Sequence, residues 1–328
     1  MTVEGVHLLE QLQTPALVVS RGQVRFANSA AQGLLGAHIV GQDVRIAIRD
    51  PRAVAAILSD VGGTAQVTGL STGGSVWQVD CRVIGPNERL VSLYDLSERV
   101  SVAKSHADFV ANASHELRTP LANVLGYVET LLNPKAGGNE EVRNRFLGTI
   151  RHEAQRMQAL ISDLMSLSRI EAVKHEVPSD RIDLVALAQE VVGEFRGGAQ
   201  VTLTANCEDA VIAGDRGQLS QVLRNLIDNA LKYGKPGGPV EVSVEAASTG
   251  WALVMVRDHG EGIPPEHLPR ITERFYRADT SRSRAAGGTG LGLSIVKHIV
   301  ERHRGRFDIE SRLGSGTTAS LMLPLKEA

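Results

Sequence analysis

The chain has 328 residues, which is more than one typical domain contains, so its length predicts two or three domains. Hydrophobic residues make up 42% of the chain and aromatic residues only 4%, which predicts packed cores that are mainly aliphatic. The formal net charge of -2 lacks the strongly basic character of nucleic-acid-binding proteins, so we expect no nucleic-acid partner.

Cysteine usage and hydropathy indicate the compartment. Cys81 and Cys207 are far apart and match no metal-binding or redox spacing, which favours reduced thiols in a cytoplasmic protein. No apolar run approaches the ~20 residues of a membrane span, and the N-terminus lacks the pattern of a signal peptide. We therefore expect a cytoplasmic chain, with membrane contact only if an anchor has been removed.

Residues 1–95 predict a small α+β module of two strands, short helices and then three strands. A helix at 29–35 should begin after Asn28, because asparagine is favoured at N-caps. A second helix is expected after Pro51, because proline suits the first turn of a helix. Strands are predicted at 17–20, 24–27, 64–70, 76–84 and 89–95.

This order of elements resembles a PAS domain, and the residues that carry the resemblance are 24–31 and 94–98. The stretch 44–52 also looks like the PAS region of PhoR-type phosphate-sensing kinases. Cys81 lies in a predicted strand, outside the helical motif of a flavin photoreceptor, and nothing around His38 favours a haem ligand over a surface histidine. We therefore expect a PAS-like sensor domain that serves dimerisation and partner contact.

The segment 109–131 combines apolar residues at helical spacing with three reactive side chains. His115 lies beside the carboxylate of Glu116, and the hydroxyl of Thr119 follows one helical turn after His115. Pro120 leaves the carbonyl of Glu116 without its helical donor. We therefore expect a bend or local loosening of the helix where these side chains lie.

The run 109–121 resembles the H-box of sensor histidine kinases. The resemblance implies that His115 is the phosphoacceptor, that Glu116 is its acid/base residue and that Thr119 is the polar residue associated with phosphatase activity. A lone histidine in this position would ordinarily be a surface residue of a core helix. The neighbouring residues and the motifs further along the chain favour the phosphoacceptor.

Residues 96–108 contain no strong helix breaker and predict a signalling helix that continues into the helix of His115. A second amphipathic helix is predicted from Glu140 onward. Two such helices cannot bury wide apolar stripes alone, so residues 109–172 predict a hairpin that dimerises into a four-helix bundle. A homodimer is therefore expected, both because the apolar stripes need to be buried and because the resemblance to sensor histidine kinases implies it. The alternative is a hairpin covered by the chain's other domains.

After a polar linker at 173–180, helices and strands mix through residues 180–328, a pattern that suits a sheet covered on one face by helices. Helices are predicted at 184–195, 216–232 and 291–304, and strands at 200–205, 211–214, 240–246, 251–258, 307–311 and 317–323. The expected fold class is a multidomain α+β chain with a PAS-like module, a dimeric helical hairpin and a C-terminal α/β sandwich.

Four constellations in this last domain carry chemistry. On the helix predicted at 216–232, Asn225 and Asn229 lie one turn apart, so their carbonyl oxygens can face one hard cation such as Mg²⁺. Lys232 can reach a phosphate as a point charge, and Tyr233 offers a flat apolar face for a base. Asparagine pairs on helices are usually polar surface, so this first constellation needs support from the others.

The second constellation, residues 258–262, follows a predicted strand. Asp258 can accept a hydrogen bond from an adenine amino group, and Gly260 and Gly262 let the backbone approach the base. The ordinary alternative is an Asp-Gly turn, which is common in proteins of every kind.

In the third constellation, residues 273–277, Phe275 could pack beneath a mobile lid and Arg277 could contact a phosphate. Without the other motifs, this segment would be interpreted as an aromatic core patch.

The fourth constellation is a glycine-rich run before a predicted helix, with Gly288, Gly290, Leu291 and Gly292. Backbone N–H groups at a helix N-terminus bind phosphate, and glycines remove the obstruction of a Cβ. The run has neither the P-loop nor the Rossmann spacing. Residues 280–288 are predicted to be the lid that orders on nucleotide.

In this order, the constellations resemble the N, G1, F and G2 boxes of the histidine kinase ATP-binding domain, an α/β sandwich of the GHKL or Bergerat type. Thr317 lies in a segment that looks like the domain's final Gly-Thr element. The resemblance implies ATP and Mg²⁺ as cofactors. It implies that Asn225 and Asn229 are linked to magnesium and that Asp258 reads adenine. The glycines of the fourth run would lie along the phosphates.

The sequence thus predicts an ATP-dependent protein-histidine kinase that autophosphorylates His115 and passes the phosphoryl group to an aspartate of a response regulator. Thr119 predicts a second output, dephosphorylation of that regulator. Two alternatives stay open: a binding module with a silent kinase step, and a different ATPase of the same nucleotide fold, such as a chaperone or a DNA-repair clamp. The signal, the regulator and the choice of cis or trans phosphorylation are not contained in the sequence.

Overall fold

The computed structural model describes residues 3–71, 73–133, 138–173, 176–195, 200–207, 210–247, 250–278 and 288–326. The chain forms two compact units, residues 1–110 and residues 111–328. Among the described residues, no helix combines the length and the apolar character that a membrane span requires.

The first unit is a five-stranded antiparallel sheet with short helices. Its elements are α1 (Val3–Glu10), β1 (Ala16–Ser20), β2 (Gln23–Ala27), α2 (Ser29–Leu35), a 3₁₀ turn (Ala37–Ile39), α3 (Val44–Ala47), α4 (Pro51–Leu58), β3 (Gly63–Thr68), β4 (Val76–Gly85) and β5 (Glu88–Asp95). The strand order is β2-β1-β5-β4-β3. The five predicted strands and the two predicted helices are confirmed, whereas α1 and α3 were not predicted.

Capping residues explain where the helices of this unit begin. Asn28 is fully buried, and its Oδ1 accepts hydrogen bonds from the backbone N–H groups of Ala16 and Ala31, both at 2.9 Å. One side chain thereby caps α2 and ties it to β1. Asp50 caps α4, and Pro51 occupies the first turn. The core beneath them is mainly aliphatic, as the composition predicted, and includes Leu17, Ile39, Ile57, Val79 and Leu93.

Two long helices follow. Helix α5 spans Ser97–Leu132 without interruption, and α6 spans Glu140–Ala172. The predicted continuous helix and the predicted start at Glu140 are therefore confirmed; Asn139 caps α6 by accepting the N–H of Val142 at 3.1 Å. Helix α5 continues through Pro120, and the bend that we expect there stays a prediction.

The C-terminal part of the second unit is an α/β sandwich. Its elements are β6 (Asp180–Asp183), α7 (Leu184–Glu194), β7 (Val201–Ala205), β8 (Val211–Gly214), α8 (Arg216–Tyr233), β9 (Val240–Ala247), β10 (Trp251–Arg257), α9 (Gly292–Arg302), β11 (Arg306–Arg312) and β12 (Gly316–Pro324). The main sheet has the order β11-β12-β10-β9-β7, and β6 pairs with β8. Buried residues alternate along β10 because α7, α8 and α9 cover one face of the sheet. All predicted elements of this part are confirmed, and β6 is additional.

Candidate active site

The first candidate site lies on α5. His115 is exposed, and the Thr119 hydroxyl donates to the backbone carbonyl of His115 at 3.4 Å. Glu116 faces the other helix of the hairpin, where Nη2 of Arg156 lies 3.0 Å from Glu116 Oε2. The three side chains that the sequence brings together thus have different surroundings: the imidazole faces solvent, and the carboxylate is paired.

The surroundings of Arg156 complete a network between the two helices. Its Nη1 lies 4.0 Å from Oε2 of Glu153, one turn earlier on α6. Glu153 Oε1 in turn accepts a hydrogen bond from Asn123 Nδ2 of α5 at 3.3 Å. Arg156 was not predicted: its spacing from Glu153 suits a pair within α6, but nothing local in the sequence indicates the contact with Glu116 on the other helix.

The candidate magnesium residues meet the glycine-rich run. Asn225 Nδ2 donates to the carbonyl of Gly292 at 3.3 Å, which leaves the Asn225 oxygen for another partner. A Cβ placed on Gly292 would lie 3.9 Å from Asn229 Nδ2, so both asparagines flank this glycine. Lys232 and Tyr233 are exposed at the C-terminal end of α8. The fold therefore brings the first and fourth constellations together.

Asp258 occupies the end of β10 and is only 7% exposed. Its Oδ1 accepts the N–H of Gly260 at 2.8 Å, and its own N–H donates to the carbonyl of Thr317 at 2.9 Å. Burial raises the pKa of the Asp258 carboxyl group, while hydrogen bonds that this carboxylate accepts from the backbone N–H groups of Gly260 and Thr317 oppose the rise. A Cβ on Gly260 would lie 2.4 Å from the carbonyl oxygen of Tyr233, so glycine is required where this turn passes the end of α8. Gly262 lies in the same turn.

The third and fourth constellations meet through the backbone. The N–H of Phe275 donates to the carbonyl of Gly290 at 2.9 Å. Both residues have positive φ, +62° for Phe275 and +72° for Gly290, and a Cβ on Gly290 would lie 3.0 Å from Phe275 Cα. Leu291 is fully buried and anchors the run, while Arg277 is half-buried. The predicted lid at 280–288 lies outside the described residues except for Gly288, the first residue after the gap.

The glycine-rich run also contacts α6. The Thr289 hydroxyl donates to Oδ2 of Asp163 at 2.7 Å and lies 3.3 Å from the N–H of Leu291. Burial raises the pKa of Asp163, while the Thr289 hydrogen bond and the charge of Lys232 oppose the rise. Asp163 was not predicted, because nothing in the sequence pattern of α6 distinguishes it from the other polar residues of that helix.

Other polar contacts continue this interface along α6. Ser166 Oγ donates to Gln221 Oε1 at 2.8 Å, and Arg274 forms an ion pair with Glu171. The same helix buries the apolar side chains of Leu160, Leu167 and Ile170. One face of α6 thus packs against the domain that carries the four constellations.

His303 was likewise missed. It is buried after α9, and its Nε2 accepts the N–H of Asp215, the N-cap of α8, at 3.0 Å. Its Nδ1 lies 2.7 Å from the carbonyl of Ile299, so Nδ1 carries the proton. Burial lowers the pKa of His303. The neutral ring therefore ties the start of α8, the helix of Asn225, to the end of α9.

Two protein-family models match the chain. The His Kinase A (phospho-acceptor) domain matches residues 105–173, which include His115. The family named histidine kinase-, DNA gyrase B-, and HSP90-like ATPase matches residues 214–327, which include all four constellations. Both families agree with the resemblance drawn from the motifs.

Full-length relatives and a solved structure extend the comparison. The phosphate regulon sensor protein PhoR of Pseudomonas aeruginosa is 35% identical over 310 residues, 91% of this chain and 69% of that protein. The sensor protein SrrB of Staphylococcus aureus is 34% identical over 247 residues, 74% of this chain and 42% of that protein. The histidine kinase ThkA, solved in complex with the response regulator protein TrrA, is similar in fold, with a TM-score of 0.57 at 19% identity over 97% of this chain and 98% of that chain.

Proposed function

Because the chain belongs to the two-component sensor histidine kinases, we propose that it transfers the γ-phosphoryl group of ATP to His115 and then to an aspartate of a response regulator. The observation that carries the proposal is the convergence of Asn225, Gly292, Phe275 and Gly290 into one cradle. An exposed histidine on the adjoining hairpin supplies the acceptor.

The cradle suits a magnesium nucleotide. Asp258 would accept the adenine amino group, and the N–H groups that begin α9 would face the phosphates. Among the described residues, no group of three or more His, Cys, Asp and Glu side chains could hold a metal ion. Amide oxygens of Asn225 and Asn229, together with phosphate and water, fit Mg²⁺, since this ion keeps several non-protein oxygen ligands. When bound, the ion offsets negative charge on the phosphates.

At the acceptor, a lone pair of one ring nitrogen of His115 forms the N–P bond while the bond to the leaving ADP breaks. The proton on the other ring nitrogen then has to leave, and Glu116 is the adjacent base that can accept it. The exposed position of His115 on α5 allows an approaching nucleotide domain to reach the ring.

The test is labelling of the purified chain with ATP that carries a radioactive γ-phosphate. The unsubstituted protein should acquire an acid-labile, base-stable label, and His115→Ala should acquire none while still binding ATP. Label that persists in His115→Ala would refute the acceptor. An unsubstituted protein that binds ATP without acquiring label would favour the binding module, and multiple turnover without a phosphoprotein would favour a different ATPase.

Two finer assignments belong to this proposal. The first unit would be a PAS-like sensor domain, a reading supported by its β2-β1-β5-β4-β3 order and by the similarity to PhoR along 91% of this chain. Thr119 would position water for dephosphorylation of the regulator. Its hydroxyl bonds only weakly to the His115 carbonyl, at 3.4 Å, and is therefore easily released. Unchanged regulator dephosphorylation in Thr119→Ala would contradict this role.

The partners would be a response regulator receiver domain and a second copy of the chain. The solved ThkA structure contains a response regulator protein, which supports the first partner by its class. Apolar side chains exposed along the hairpin support the second, among them Leu121, Leu125, Val128, Leu132, Leu147, Ile161 and Met165.

A further inference from the structure

The proposed acid/base residue is engaged by the opposite helix of the hairpin. Glu116 Oε2 lies 3.0 Å from Nη2 of Arg156, whose side chain is only 12% exposed. In the part of the hairpin that the structure describes, no hydrogen bond joins Glu116 to the ring of His115. Successive residues of a helix point about 100° apart, which explains why Glu116 faces α6 while His115 faces solvent.

The guanidinium is held from a second side. Nη1 of Arg156 lies 4.0 Å from Glu153, and Glu153 accepts a hydrogen bond from Asn123 at 3.3 Å. Asn123 is seven residues after Glu116, so both face α6 from the same side of α5. Arg156 is thus fixed opposite Glu116 and competes with the imidazole for its carboxylate.

We propose that Arg156 is a positioning residue for phosphoryl transfer, which holds the Glu116 carboxylate against α6 until that bond opens and Glu116 turns to His115. The inference rests on the proposed kinase activity. The N–P bond forms at one ring nitrogen as ADP leaves, and the proton of the other nitrogen goes to Glu116. A carboxylate held by Arg156 is not available for that proton.

The test is a double-mutant cycle on the full chain, read as the rate constant of autophosphorylation at saturating Mg-ATP. Arg156→Gln should raise the rate constant about two- to fivefold, the range expected when a partly exposed charge pair is released. The KM for ATP should stay unchanged. In a Glu116→Gln background the same substitution should have no effect, because the carboxylate that it releases is absent. If Glu116→Gln is too slow to time, Glu116→Asp, whose shorter side chain no longer reaches Arg156, replaces it.

Two matched variants distinguish the effect of the Arg156–Glu116 pair from a general disturbance of the contacts of Arg156. Arg156→Lys keeps the charge and should restore the rate of the unsubstituted protein. Glu153→Gln disturbs the far side of the guanidinium but keeps the Glu116 pair, so the rate should not rise. A rate that is unchanged or lower in Arg156→Gln, or that changes equally in both backgrounds, would overturn the proposal. An unsubstituted protein that forms no phosphohistidine would instead overturn the kinase activity itself.

Discussion

His303 uses both ring nitrogens, one as acceptor from Asp215 and one as donor to Ile299. Protonation of Nε2 would set its N–H against the N–H of Asp215 and would charge a buried ring. Burial of the ring is the main reason that the pKa of His303 lies below 6.5; the charge of Arg302 lowers this pKa further, while the hydrogen bond to Ile299 and the charge of Asp215 oppose the shift. The folded domain therefore resists a proton that the unfolded chain accepts.

We predict that the stability of the nucleotide-binding domain falls as the pH drops below 6.5. In the window between the lowered pKa and 6.5, the unfolded chain binds more protons, so the free energy of unfolding rises with pH there. Urea unfolding at pH 5.5 and 7.5 measures the effect, in a Trp77→Phe background so that Trp251 reports this domain. His303→Gln, which can donate and accept but not titrate, should flatten the dependence. An equal slope in both proteins would contradict the assignment.

Single residues differ in how far the sequence reveals them. Asn225, Asp258 and Gly290 could be proposed as site residues because each belongs to a local sequence motif that is typical of nucleotide binding. Arg156, Asp163 and His303 could not, because their partners lie 40, 126 and 88 positions away along the chain. No local pattern specifies such contacts, since only the packed fold brings the two groups together.

At the scale of elements, prediction succeeded where a cap or a strong periodicity marks the boundary. Asn28 before α2 and Asn139 before α6 are favoured caps, and both helices begin at the predicted residue. Strand β6 has four residues and one buried apolar side chain, Ile182, so its pairing with β8 had no signal in the sequence. Short elements that depend on a distant partner strand are the ones that local propensity misses.

The packing of α6 against the glycine-rich run gives a second prediction. Asp163→Ala removes the acceptor of Thr289 and should accelerate amide exchange at the start of α9 about tenfold, as expected for a lost hydrogen bond to a charged group. Asp163→Asn keeps an acceptor and should leave the exchange rate close to that of the unsubstituted protein. Hydrogen exchange read by mass spectrometry makes the comparison. Equal protection in all three proteins would show that the contact contributes nothing in solution.

For the whole molecule, one chain covers only part of its hairpin. On α6, the apolar side chains of Leu160, Leu167 and Ile170 are buried within the chain. Leu125 of α5 is 55% exposed and Ile161 of α6 is 49% exposed, so a large apolar area is left for another partner. In the proposed dimer, the hairpin of a second copy of the chain would bury this area in a four-helix bundle.

We therefore predict that Leu125→Glu weakens self-association, because the substitution would bury a carboxylate in the proposed four-helix interface. Light scattering after size-exclusion chromatography should show a dimer for the unsubstituted protein and a shift toward monomer for the variant. Leu313→Glu is the matched control, since Leu313 is similarly exposed, at 58%, but lies outside the hairpin. Equal masses for both variants would place the dimer contact elsewhere.

Among the described residues, the main sheet of the nucleotide-binding domain ends at β11, and no further strand pairs with the outer side of this strand. Charged side chains are exposed at every second position of this strand, at Arg306, Asp308, Glu310 and Arg312. Another strand that paired with β11 would lie ~5 Å away. Its side chains would then lie beside both positive and negative charges along the whole strand, which disfavours the pairing. Such charges at every second position disfavour the addition of a further strand at this edge, which is the step by which exposed sheet edges lead to aggregates.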